Sequence, residues 1–168
     1  NRVIVSTNII GGVRRDISPE LLRRILSDID IMEKRLKPLY ETMFNDYTVK
    51  QRTVGVGVLT KEQAHQLGAV GPVLRGSGWA QYVRQLKYEA FTDLAFEPVV
   101  ETDGDCYARN KVRFREVFQS LDFVRQAIAR LPEGDLAVKA MGNPEGEITF
   151  RVEQPRGELF YYVKCDGS

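Results

Sequence analysis

The chain has 168 residues, of which 43% are hydrophobic and 28% charged, so it is long enough to bury one core and too apolar to stay disordered. Its 24 Lys and Arg against 23 Asp and Glu leave a formal charge of +1, which removes the electrostatic basis for binding nucleic acid or an anionic membrane surface. The longest uncharged apolar runs, such as Val54–Leu59, fall far short of the roughly 20 residues that cross a bilayer, and no signal-peptide pattern opens the chain.

Arg2–Ile10 is rich in Val, Ile and Thr and runs into Gly11-Gly12, as a strand entering a turn does. A helix start comes next: Ser18 suits the cap, Pro19 the first helical position, and Glu20 the positive end of the helix dipole. Leu22, Ile25, Ile29, Met32, Leu36, Leu39 and Met43 then recur at spacings of three and four, one face of a helix from Pro19 to about Asn45. Pro38 predicts a kink or break near Leu36, giving one long bent helix or two short ones.

Thr53–Leu59 reads as a weak strand or tight loop because of its two glycines. Thr60 and Gln63 form a capping box for a short helix through Leu67, stopped at Gly68. Gly71–Gly78 is expected to be loop, and Trp79–Val100 to dock its aromatics on the core without regular periodicity. A second long helix starts near Asp105, with Val112, Phe114, Val117, Phe118, Leu121, Val124, Ile128 and Leu131 as its apolar stripe, until Pro132 and Gly134 end it. Its opposite face carries Lys111, Arg113, Arg115, Glu116, Asp122, Arg125 and Arg130. Glu147–Val152 and Glu158–Val163 read as two strands about a Pro155-Arg156-Gly157 turn.

These elements predict an α+β fold, mainly helical: two long helices packed face to face plus a small antiparallel sheet. The chain starts on Asn1 rather than Met, directly on a strand-like run, so residues 1–168 are expected to be a single central domain excised from a longer chain. Its helical part would span 18–134, with a β-rich part over 136–168 joined by 1–10. Large apolar residues off the stripes, such as Trp79, Tyr82, Tyr161 and Tyr162, would then be exposed in isolation and favour self-association.

Few residues carry chemistry. Cys106 and Cys165 are too few for a disulfide framework and form no CxxC pair; with the single His65 they offer no metal-ligand set, so no metal is expected on this chain. Gly55 and Gly57 resemble the opening of a dinucleotide fingerprint whose third glycine and helix are missing. Glu101, Asp103 and Asp105 fit helix capping, and the pairs Arg14-Arg15 and Arg23-Arg24, interleaved with acids, fit a solvated face. Arg156 is the most informative residue: a permanent cation on a turn where Pro155 fixes φ and Gly157 permits close approach. Its plain reading is a turn arginine paired with Glu153 or Glu158.

IGGVRRDI (Ile10–Ile17), RTVGVGVL (Arg52–Leu59), GAVGPVLRGSG (Gly68–Gly78), DGDCYARNKVRFREVFQSL (Asp103–Leu121) and VEQPRGELFYYV (Val152–Val163) occur in this order. Together they resemble the large-subunit family that joins nickel–iron hydrogenases to the 49-kDa (D) subunit of respiratory complex I. The resemblance implies an oxidoreductase subunit lying peripherally on the cytoplasmic face of the membrane, beside a small iron–sulfur subunit. It implies hydrogen activation coupled to ferredoxin and ion translocation, or alternatively quinone reduction of the NADH:quinone type. A scaffold module that has lost its ligands is the third possibility. The family's nickel–iron centre is held by cysteines of two CxxC motifs that this chain lacks, so the chain alone is expected to bind no cofactor and to be inactive. By the same resemblance, Arg156 of the E-x-P-R-G segment, with Glu153 and Pro155 around it, is the candidate catalytic residue near the metal. Ile4 stands where complex I members often carry His, which leans toward the energy-converting hydrogenase branch.

Overall fold

A computed structural model of the chain describes residues 7–167. Most of the first expected strand, including Arg2 and Ile4, lies outside the described residues. The described part opens on a short hairpin in which β1 (Asn8–Ile9) pairs antiparallel with β2 (Gly12–Val13). Gly12 bridges to Ala137, and the Val13 N–H donates to the Leu136 carbonyl at 2.9 Å.

Helix α1 (Pro19–Asn45) starts as its cap residues dictate, with Ser18 Oγ accepting from the Leu21 N–H at 3.2 Å and Pro19 in the first turn. Pro38 lies inside the helix without ending it. A proline leaves the carbonyl four residues earlier without a donor; Lys34 and Pro38 are both exposed, so water can take that role. Asp46 closes α1 and opens α2 (Tyr47–Thr53), its carboxylate accepting from the Val49 N–H at 2.8 Å. Helix α2 buries no residue, and with no apolar stripe to display, its periodicity is invisible in sequence.

The glycine-rich segment after it forms a loop, not a strand, with Gly55 and Gly57 at positive φ. Helix α3 (Lys61–Gln66) has the expected Thr60–Gln63 capping box, with both reciprocal bonds made. The loop expected over Gly71–Gly78 is corrected in its first part: Gly71–Arg75 forms the one-turn helix α4. Pro72 presets φ for its first turn, and burial of Gly71, Pro72, Leu74 and Arg75 outweighs the weak helical propensity of the segment. The chain then makes two 3₁₀ turns, Val83–Leu86 and Glu89–Thr92. Helix α5 (Cys106–Ala129) comes after them, capped by Asp105. The strands β3 (Glu145–Gln154) and β4 (Gly157–Asp166) form one antiparallel hairpin, with Gln154 opposite Gly157 and Glu153 opposite Glu158.

The fold is thus α+β and mainly helical, with two long packed helices; the described strands form two separate two-stranded sheets rather than one. Helices α1 and α5 meet through an aromatic cluster. Tyr40 and Phe44 lie 4.6 Å apart between ring centroids, Phe44 stands edge-on to Tyr107 at 5.3 Å and to Phe114 at 5.6 Å, and Phe118 meets Tyr40 edge-on. A second cluster seats Tyr82, Phe91 and Phe96 around Phe123, on another side of α5.

Because α5 is packed on more than one side, its burial departs from the single stripe. Phe123, outside the stripe, is buried, while Val117, Val124 and Leu131 within it are exposed. Two charges assigned to the solvated face are turned inward instead. Arg125 bridges to Asp30 at 2.9 Å and Glu33 at 2.6 Å on α1, and Glu116 reaches Arg75.

Phe44 is buried in the aromatic cluster, whereas Met32 on the same helix is half exposed. Phe44→Ala should therefore lower stability by about 3–5 kcal/mol, and Met32→Ala by no more than about 1 kcal/mol, measured by urea denaturation of the chain. Ile148, Phe160, Tyr161 and Tyr162 on the hairpin are exposed. The isolated chain should consequently self-associate, seen as scattering mass rising with concentration; a strict monomer at high concentration refutes this.

Candidate functional site

The sequence placed its candidate residues on the turn between β3 and β4, and the fold sets that turn against α4. The contact is backbone on backbone. Gly71 has φ of +64° and Gly157 +131°, and a Cβ built on Gly71 would stand 2.3 Å from the Gly157 Cα. Only glycine at both positions allows this approach. Pro155 and Arg156, between Gln154 and Gly157 in the turn, are exposed. Arg156 has no hydrogen bond or ion pair among the described residues. The plain reading of Arg156, pairing with Glu153 or Glu158, is not what the structure holds: Glu153 pairs with Arg75, and Glu158 with Arg151 at 3.4 Å.

Glu153 is buried at the inner end of β3. Its Oε1 accepts from Arg75 Nη2 at 2.8 Å, and its Oε2 from the Val83 N–H at 3.2 Å. Its own N–H donates to the Tyr88 hydroxyl at 2.9 Å. Arg75, at the end of α4, is 0% exposed. Besides Glu153, its Nε donates to Glu116 Oε1 at 2.7 Å and its Nη1 to the Gln81 carbonyl at 3.1 Å. The guanidinium lies over the Tyr82 ring, 4.2 Å from its centroid. Each guanidinium nitrogen therefore has a partner, the condition under which a buried charge is tolerated.

The Arg75 guanidinium bonds two carboxylates at once. Burial raises the pKa of Glu116 above its ordinary value, and the neighbouring charge of Glu153 adds to the rise, while Arg75 and Arg84 oppose it. Glu116 is thus held closer to its neutral form than an ordinary carboxyl group.

The remaining sequence candidates serve the scaffold. Asp105 uses both carboxylate oxygens, on the Ala108 N–H at 2.7 Å and the Gly55 N–H at 2.8 Å, so the Gly55–Gly57 loop is tied to the start of α5. Glu101 pairs with Arg115 at 2.7 Å, and Asp103 is exposed. His65 is exposed and stacks on Trp79 at 5.0 Å. Cys106 and Cys165 are free thiols, and no group of three or more His, Cys, Asp or Glu that could hold a metal ion occurs among the described residues.

Sequence reasoning singled out Glu153, Pro155, Arg156 and Gly157 and passed over Arg75 and Glu116, which the structure joins to Glu153. The available signal was Arg75 as the single charge in an otherwise apolar and glycine-rich stretch, GPVLRGSG. Glu116 gave none, since it follows Arg113 and Arg115 and reads as one more charge on the same helix.

Residues 1–142 match the family model described as the respiratory-chain NADH dehydrogenase, 49 Kd subunit. The chain is 36% identical to the C/D subunit of the NADH-quinone oxidoreductase of Phocaeicola vulgatus, over 99% of this chain and 33% of that protein. It is 34% identical to a carbon monoxide-induced hydrogenase of Rhodospirillum rubrum, over 100% of this chain and 47% of that protein. Among solved structures, a chain of the membrane-bound sulfane sulfur reductase, an archaeal respiratory membrane complex, superposes with a TM-score of 0.87 at 34% identity, covering 95% of this chain and 46% of the other. The chain therefore spans a third to a half of the length of these relatives.

Removing Arg75 alone strands the buried carboxylate of Glu153 and leaves the half-buried Glu116 without its cation, so Arg75→Met should cost about 3–5 kcal/mol in a denaturation experiment. The raised pKa of Glu116 fixes a sign as well. The folded chain holds that proton more tightly than the unfolded chain, so the contribution of Glu116 to stability is complete below the ordinary carboxylate pKa of 4.5 and declines as pH rises through the elevated folded value. Glu116→Gln should flatten that limb of the stability–pH profile; an unchanged profile contradicts the assignment.

Proposed function

This chain belongs to the family of the respiratory-chain NADH dehydrogenase 49 Kd subunit, and we propose that it forms part of the large redox subunit of a complex I-like membrane respiratory complex, with Arg156 serving the reaction site. The observation that carries the site assignment is the Pro155-Arg156 turn itself, seated through Gly157 on α4 while Arg156 stays unpaired and exposed.

A guanidinium in contact with water keeps its proton and cannot act as a base. It can act as a fixed cation and a donor of several hydrogen bonds. A substrate that gains electrons gains negative charge before protons arrive, and a cation already in place lowers the energy of that charge. Quinone reduction is a reaction of this kind, and the NADH-quinone oxidoreductase relatives support it as the first reading.

Hydrogen activation coupled to ferredoxin is the second reading, supported by 34% identity to the carbon monoxide-induced hydrogenase across the whole chain. The residues described do not fit a nickel–iron centre. The soft donors are Cys106 and Cys165, and neither belongs to a cluster of metal-binding side chains. No step is derived through that centre, and in this reading its ligands come from elsewhere in the subunit. In either reading the subunit sits peripherally at the cytoplasmic face of the membrane against a small iron–sulfur subunit. No helix among the described residues is long and apolar enough to cross a membrane.

In the intact complex, Arg156→Gln should lower turnover about 100-fold with iron–sulfur and metal content unchanged, and Arg156→Lys should recover part of the loss by restoring charge. Turnover equal to wild type in the Gln variant refutes the assignment. Assaying one purified complex for quinone-dependent and hydrogen-dependent activity separates the two readings.

A further inference from the structure

The hairpin that carries Arg156 has few attachments to the rest of the molecule. Along most of their length β3 and β4 are exposed on both faces, including Ile148, Phe150, Phe160, Tyr161 and Tyr162. The inner end alone is buried, at Glu153 and Gly157. Asp166 apart, every hydrogen bond between the hairpin and the body of the described residues ends on Glu153: from Arg75 to its carboxylate, from the Val83 N–H to its carboxylate, and from its N–H to Tyr88. The ion pairs of Arg151 with Glu158 and of Lys164 with Glu147 stay within the hairpin.

We propose that Arg75 is a positioning residue: by joining Glu153 of the hairpin to Glu116 of α5 through one buried guanidinium, it locks the Arg156 turn onto α4 and so fixes where the Arg156 cation stands. Two features of the geometry argue for this. The guanidinium is immobile, since its three nitrogens are each engaged and its face is covered by Tyr82. The Gly71–Gly157 contact, lacking side chains on either partner, offers a close seat without interlocking atoms to hold it. Directional bonds three residues from Arg156 supply the missing restraint. Displacements on the order of 1 Å at a reacting geometry cost about 100-fold in rate, so a turn that rocks on its seat would reduce turnover without any change at Arg156 itself.

The inference rests on Arg156 serving the reaction site, and the test separates the two claims. In the intact complex, Arg75→Lys and the milder Glu153→Gln are each combined with Arg156→Gln. Each single variant should lower kcat by roughly 10- to 100-fold. Placed in the Arg156→Gln background, neither should lower it further by more than about twofold, because a residue acting only through Arg156 has nothing left to position. Hydrogen–deuterium exchange at the amides of residues 153–159 should accelerate in both. Losses that multiply in the double variants, or exchange that stays at the wild-type rate, overturn the proposal. An Arg156→Gln variant with wild-type turnover, together with faster exchange in the Arg75 and Glu153 variants, removes Arg156 from the chemistry while upholding the clamp.

Discussion

Arg75 carries a full positive charge with no exposure to water, and the three elements that surround it are those that the fold must bring together: α4, α5 and the inner end of β3. A buried charge of this kind is costly unless its partners are all in place. The arrangement therefore tolerates little displacement of any one element. Hydrophobic contact between α1 and α5 gives the body its mass of buried surface, but that contact is indifferent to small shifts. The guanidinium fork is not, because its planar donors accept carboxylates only along set directions. Stability and placement thus come from different interactions.

Burial of the acids around that arginine gives the same node a sensitivity to protons. Glu116 is pushed toward its neutral form by burial and by Glu153. Its protonation would weaken the tie between Arg75 and α5. Arg156, in contrast, stands free of all such ties on the outer side of the turn. A cation with no internal partner, held on a backbone that is fixed by a neighbour three residues away, is disposed to meet a charge from outside the described residues.

The long elements were legible because their signals are local. The Ser18-Pro19-Glu20 start, the Thr60–Gln63 box, the Asp105 cap and the Pro155-Arg156 turn each form with the partners their spacing dictates. The misses have physical causes. Helix α2 buries nothing and so displays no stripe. Helix α4 is made of residues with poor propensity and exists because it is buried on several sides. The stripe of α5 misassigned Phe123, Glu116 and Arg125 because a helix with neighbours on more than one flank has no single polar face.

The sequence by itself determined the α+β composition, the two long helices, the hairpin and its turn, and the family, since ordered motifs and helix caps act between residues close in the chain. The tertiary structure alone decided that Glu153 belongs to Arg75 rather than to Arg156, 78 positions separating the two partners in sequence. Ion pairing over such a distance depends on which elements burial presses together. A charged residue looks the same in sequence whether it will meet water or another charge.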